Sequence, residues 1–173
     1  TLFPYTTLFR SSLEQGVETT SDDVTRRELL TSLANIYDKE IDDPRRALRA
    51  YERLSALDPS DPEPLESMDN LAVLLSDWAT VIRVLEKKSE MASDEENASI
   101  WRRIAETKLD MLEDPEGAIA AYERALEFDA RSEMTIDALI DLYEPRNNAQ
   151  RLVELYALRV ELTQQDEGDL RYD

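Results

Sequence analysis

Carboxylates are the commonest groups in this sequence able to do chemistry. Asp and Glu total 39 against 20 Lys and Arg, and the chain has no His and no Cys. Such a set could ligate Ca²⁺ or Mg²⁺. However, the acidic runs Asp22-Asp23, Asp42-Asp43 and Asp94-Glu95-Glu96 lack the alternating spacing and turn glycine of a calcium loop. Each stands where a helix would begin, and there the helix dipole favours negative charge. They are read as caps. The missing His and Cys remove the commonest general base, the thiolate nucleophile and most transition-metal ligands. Three scattered glycines make no phosphate-cradling loop. The expectation is a protein without catalysis, metal or other cofactor.

The net charge of −19 would repel a phosphate backbone, and no basic stripe interrupts it. Nucleic acid is therefore not an expected partner. The longest apolar run within the periodic part is LAVLL, far short of the roughly 20 residues that span a bilayer. No membrane insertion is expected, and the cytoplasm is the expected compartment, although the lack of cysteine does not fix it.

The elements that would position these groups are visible in one repeated stretch. DPEGAIAAYERALEFD, Asp114 to Asp129, has a close copy in DPRRALRAYERLSALD, Asp43 to Asp58, and the two lie 71 residues apart. Asp-Pro fits the N-cap and first position of a helix, where the missing proline N–H costs nothing. Apolar residues follow at helical spacing: Ala118, Ile119, Tyr122, Ala125 and Leu126 in one, Ala47, Leu48, Tyr51 and Leu54 in the other. A second periodic stretch precedes each copy, ELLTSLANIYDKEI and SIWRRIAETKLDML. The short loops Asp42-Asp43 and Glu113-Asp114 require each pair of helices to pack antiparallel. Ala34, Ala47, Ala105 and Ala118 are small where the backbones would approach.

These residues resemble the tetratricopeptide repeat (TPR), a pair of helices over about 34 residues. Trp101, Ile104, Ala105, Ala118, Tyr122 and Ala125 fit its signature in order. So do Leu30, Leu33, Ala34, Tyr37, Ala47, Tyr51 and the closing Pro59. Each copy carries one extra residue, placed by this reading in the inter-helix loop. Weaker repeats lie between. They depart from the family pattern where a small residue is expected, with Asp69 and Ile140 in the first helix and Val81 and Leu152 in the second. The aromatics Trp101, Tyr51, Tyr122 and Tyr156, and all four methionines, are read as packing rather than as a binding surface.

The resemblance implies an all-α solenoid of antiparallel helix pairs, about four repeats with partial repeats at both ends, cut from a longer bacterial-type array. The expected organisation of residues 12–173 is the end of a preceding repeat at 12–20, then repeats at 25–59, 62–92 (divergent), 94–130 and 132–164 (divergent), and the start of another at 166–173. Polar turns are expected at Ser93 to Glu96 and at Gln165 to Glu167. Residues 1–11, TLFPYTTLFRS, match codon for codon the translation of a short-read sequencing adapter and are expected to be non-native.

In TPR proteins the first helices of successive repeats line a concave groove that receives a peptide or partner helix. Transferred by position, that face would present Glu28, Thr31, Asn35 and Asp38, then Glu63, Glu66, Asn70 and Val73. Ser99, Arg102, Glu106 and Leu109 would follow, and then Asp137 and Asp141. Asn35 and Asn70 are similar to asparagines with which some family members hold a terminal carboxylate, but the accompanying lysines are absent and Thr31 and Glu66 stand where a cation or neutral group would be wanted, so a carboxylate-binding groove is not expected. The resemblance thus implies a protein-interaction scaffold, and the acidic lining a Lys/Arg-rich partner. The alternatives are an accessory docking region of a larger enzyme or signalling protein, and a plain spacer. HEAT-like repeats, of about 40–47 residues, fit the period poorly.

Overall fold

Asp43-Pro44 and Asp114-Pro115 start helices as the sequence suggests. Asp43 accepts a hydrogen bond from the Arg46 amide at 3.0 Å, and Asp114 one from the Gly117 amide at 2.9 Å, so each aspartate satisfies an amide that the helix leaves free. The structure, a computed structural model, describes the backbone of residues 4–169 and the side chains of residues 8–164. It divides into two units, Thr1–Lys88 and Ser89–Asp173.

The first unit holds α1 (Pro4–Thr19), α2 (Asp23–Asn35), α3 (Pro44–Leu57), α4 (Glu63–Leu74) and α5, which begins at Trp78 and ends at Ser89. The second holds α6 (Asp94–Glu106), α7 (Pro115–Phe128), α8 (Glu133–Tyr143) and α9 (Ala149–Asp169). No strand occurs among the described residues. The core of the first unit gathers Leu13 and Val17 of α1, Leu30, Leu33 and Ala34 of α2, and Leu65, Met68 and Leu71 of α4 around α3. In the second unit Ile104, Ala118, Tyr122, Ile136, Leu139 and Leu155 are buried. Ala34, Ala47, Ala105 and Ala118 have no exposed surface, which is the close backbone approach their size predicts.

The extra residue of each clear repeat sits in the helix, not in the loop. α2 and α6 both end in a single π turn, Ile36–Glu40 and Thr107–Met111, the usual way to insert one residue while keeping the helix hydrogen-bonded. The amide of Asp43 then donates to the Tyr37 carbonyl and that of Asp114 to the Lys108 carbonyl, both at 2.8 Å. The chain reverses through Asp42 (φ 57°) and Glu113 (φ 52°). The weaker repeats reverse through Ser76 (φ 54°) and Asn147 (φ 52°). The 71-residue period is thus written in the backbone as well as in the side chains.

Several expectations are corrected. Ser93 to Glu96 open α6 instead of forming a turn: Ser93 caps the helix and its own amide donates to Glu96 at 2.9 Å. α9 runs through Gln165 to Glu167 without a break, since none of these residues removes a backbone donor or favours a positive φ. Residues 170–173 lie outside the described residues. Met68 is buried, but Met91, Met111 and Met134 are exposed, and Tyr156 is 45% exposed. Trp101 is only half-buried, with the Arg124 guanidinium 5.8 Å from its ring centre.

The Ser93–Glu96 box carries a pH signature. The Ser93 amide and hydroxyl hold the Glu96 carboxyl below its ordinary value. A depressed folded-state pKa means stability present above the ordinary value and lost as pH falls through the folded one. Wild-type and Glu96→Gln proteins should therefore differ most above the ordinary carboxylate value and converge only as pH falls through the depressed folded-state one. Thermal melts across that range check this, and a pH-independent difference would refute it.

Candidate interaction grooves

A groove of about 280 Å³ lies within the first unit, built by α2 with its π turn, by α3 and by the start of α4. Thr31, Asn35 and Asp38 reach it from the first helix and Glu63 from the next repeat, so four of the expected residues share one surface. The helical spacing puts Arg27, Thr31, Asn35 and Lys39 on one stripe of that helix. Glu28, Glu66 and Asn70 do not line this groove and stand exposed; Glu66 instead meets Lys88 at 3.0 Å. Tyr51 and Leu54 of α3 contribute apolar surface, with Pro64 and Ser67 at the α4 side.

Two cations of the lining, Arg27 and Lys39, went unread as groove residues in the sequence. Arg27 donates to Asp58 at 2.9 Å and to Asp61 at 3.0 Å, which ties α2 to the turn between α3 and α4. Asp58 is held ionised below the ordinary carboxylate value, first by the Ser60 hydroxyl and amide. Lys39 is exposed at the groove mouth. The lining is therefore mixed in charge, not uniformly acidic as expected. A signal existed: Arg27 lies four residues before Thr31, and Lys39 four after Asn35. With Arg27 engaged, Asp38 and Glu63 are the carboxylates in the lining for which the described residues give no ion pair. Asn35 donates its amide to the Thr31 carbonyl at 3.0 Å, leaving its side-chain oxygen free to accept.

In the second unit the counterpart of Tyr51 is Tyr122, which is buried. Its hydroxyl is pushed up from its ordinary pKa, first by burial and then by Glu106 and Asp110, with Arg102 opposing. Arg102 is half-buried and Glu106 exposed. Ser99 is exposed and donates back to the Glu96 carbonyl at 2.8 Å. Asp137 is exposed but engaged by Arg159 at 2.9 Å, which also meets Glu133 at 3.0 Å. Asp141 is exposed. Among the described residues no group of three or more acidic or other ligating side chains could hold a metal ion, and no helix is long and apolar enough to cross a membrane.

Helix pairs recurring with one period and packed through buried alanines define an all-α helical-repeat protein. Residues 29–64 match the family model described as Tetratricopeptide repeat. That stretch resembles a tetratricopeptide repeat, and the fold is an all-α array of helix pairs. Comparison with curated proteins returned no match. Among solved structures, the chain is similar to that titled "Crystal structure of MamA protein", at 15% identity and TM-score 0.53, covering 96% of each chain. A second, titled "Crystal structure of MamA", matches at 14% identity and TM-score 0.52 over 92% of this chain and 89% of that one. A third is titled "Crystal structure of YrrB: a TPR protein with an unusual peptide-binding site". It aligns at 17% identity and TM-score 0.49 over 88% of this chain and 75% of that one.

Proposed function

We propose that this chain is a protein-interaction scaffold that receives an extended, Lys/Arg-bearing segment in the groove of its first unit. The observation that carries this reading is the groove itself. It has an apolar floor at Tyr51 and Leu54, a free acceptor at Asn35, and the carboxylates of Asp38 and Glu63 on opposite walls. A basic side chain entering between those walls gains two favourable contacts, while Lys39 sets the register by repelling a second cation nearby.

The test is fluorescence polarisation with a labelled peptide carrying two lysines beside a leucine. Asp38→Asn/Glu63→Gln should weaken binding about tenfold, the product of two partly exposed ion pairs. The wild-type affinity should fall as salt is added. Unchanged affinity in the double variant would refute the groove as the site.

A further inference from the structure

The first unit carries a second hollow, of about 410 Å³, lined by Arg45, Leu48, Arg49 and Glu52 of α3, Leu75 and Ser76 of the following turn, and Asp77 and Thr80 at the start of α5. Its size falls within the roughly 300–1,000 Å³ of ligand clefts. Glu52 is already engaged by Arg83 at 2.6 Å. Asp77 is occupied as a cap, accepting from the Thr80 amide at 3.2 Å and its hydroxyl at 2.9 Å. Arg45 and Arg49 are exposed, and among the described residues neither is given a carboxylate partner. Arg49 also borders a neighbouring hollow containing Glu14 and Glu18, but Glu14 accepts from Tyr37 and Glu18 pairs with Arg53 at 2.8 Å.

The second unit shows what this face looks like when it is self-satisfied. Seventy-one residues on, Arg45 becomes Glu116, Arg49 becomes Ala120, Leu75 becomes Arg146 and Thr80 becomes Arg151. There Arg146 pairs with Glu116 at 2.8 Å, and Arg151 bridges Glu123 at 2.5 Å and Glu154 at 2.6 Å. The same backbone frame thus closes its charges internally in one copy and leaves two guanidiniums open in the other, in a chain whose net charge is −19.

We propose that the hollow at Arg45 and Arg49 docks an acidic peptide segment of a partner protein. Two guanidiniums four residues apart on one helix stand about 5–6 Å apart at their Cβ atoms, a spacing suited to two carboxylates on one short segment. Leu48 and Leu75 offer contact to an apolar neighbour on that segment. Glu52 and Asp77 at the rim set a limit on charge density and disfavour a polyanion such as nucleic acid.

This inference stands apart from the groove, because neither arginine lines it. The probe is a fluorescein-labelled peptide with two neighbouring glutamates and a leucine, titrated with the full chain at low salt. Arg45→Ala/Arg49→Ala should weaken binding about tenfold, with an unchanged melting midpoint because both side chains are exposed. A Glu-to-Gln peptide should lose as much. The charge-reversed pair Arg45→Glu/Arg49→Glu, combined with Asp38→Asn/Glu63→Gln to silence the groove, should bind the matching lysine peptide more tightly than the groove double variant alone. Affinity for the glutamate peptide that stays within twofold in the Ala variant, or equal binding of the Gln peptide, would overturn the proposal.

Discussion

Tyr122→Ala should lower the unfolding free energy by about 3–5 kcal/mol, the range for removing a large aromatic ring from a core. The side chain is 5% exposed and sits among Ala105, Ala118 and Ala125, which have almost no exposure of their own. Alanines cannot swing inward to fill the space, so the cavity should persist and the cost should lie high in that range. Lys87→Ala, on α5 at a half-buried side chain with no ion pair among the described residues, should stay within about 0.5 kcal/mol. Urea melts of the two variants make the comparison. Similar small shifts would mean that the helix pair is not packed as described.

The second large effect concerns a charge in a place reserved for a small residue. Asp69 stands where the clear repeats have Ala34 and Ala105, and its side chain is buried. Lys88 reaches it from α5 at 3.3 Å while also meeting Glu66 at 3.0 Å. Lys88→Met should cost about 2–4 kcal/mol, because the buried Asp69 carboxylate then loses one of its charged contacts. Asp69→Ala should cost less, since the lysine keeps Glu66 and some solvent while alanine is the residue of the clear repeats at this position. The double variant should recover most of the loss. A double-mutant cycle by chemical denaturation measures this asymmetry, and equal costs for the two single changes would contradict it.

Helix pairing was legible because Asp-Pro caps, apolar spacing and paired alanines act locally and leave their mark in order. The π turns were not. A single inserted residue at Ile36–Glu40 changes no composition, and only the backbone shows whether a loop or a helix absorbs it. Asp69 was legible as a departure from the expected small residue, but Lys88, which meets it, lies nineteen positions away on another helix. The groove was read through the outward stripe of each first helix, which found Thr31, Asn35, Asp38 and Glu63. Arg27 and Lys39 were missed because they lie at the ends of that stripe, where the family transfer stopped. The exposed Met111 and Met134 show the limit of periodicity, since an apolar residue at a helix end meets its spacing without meeting a neighbour.

The four left-handed residues, Asp42, Ser76, Glu113 and Asn147, also bear on chain entropy. A non-glycine residue there costs about 1–2 kcal/mol in the folded turn. Glycine would remove that cost but would loosen the unfolded chain by about 0.5–1 kcal/mol. Side chains at these four reversals therefore recover about half of that cost through the unfolded chain. What they change is the breadth of the unfolded ensemble, which in a chain with three glycines among 173 residues stays comparatively stiff. Each hairpin begins its search for the native turn from fewer alternatives.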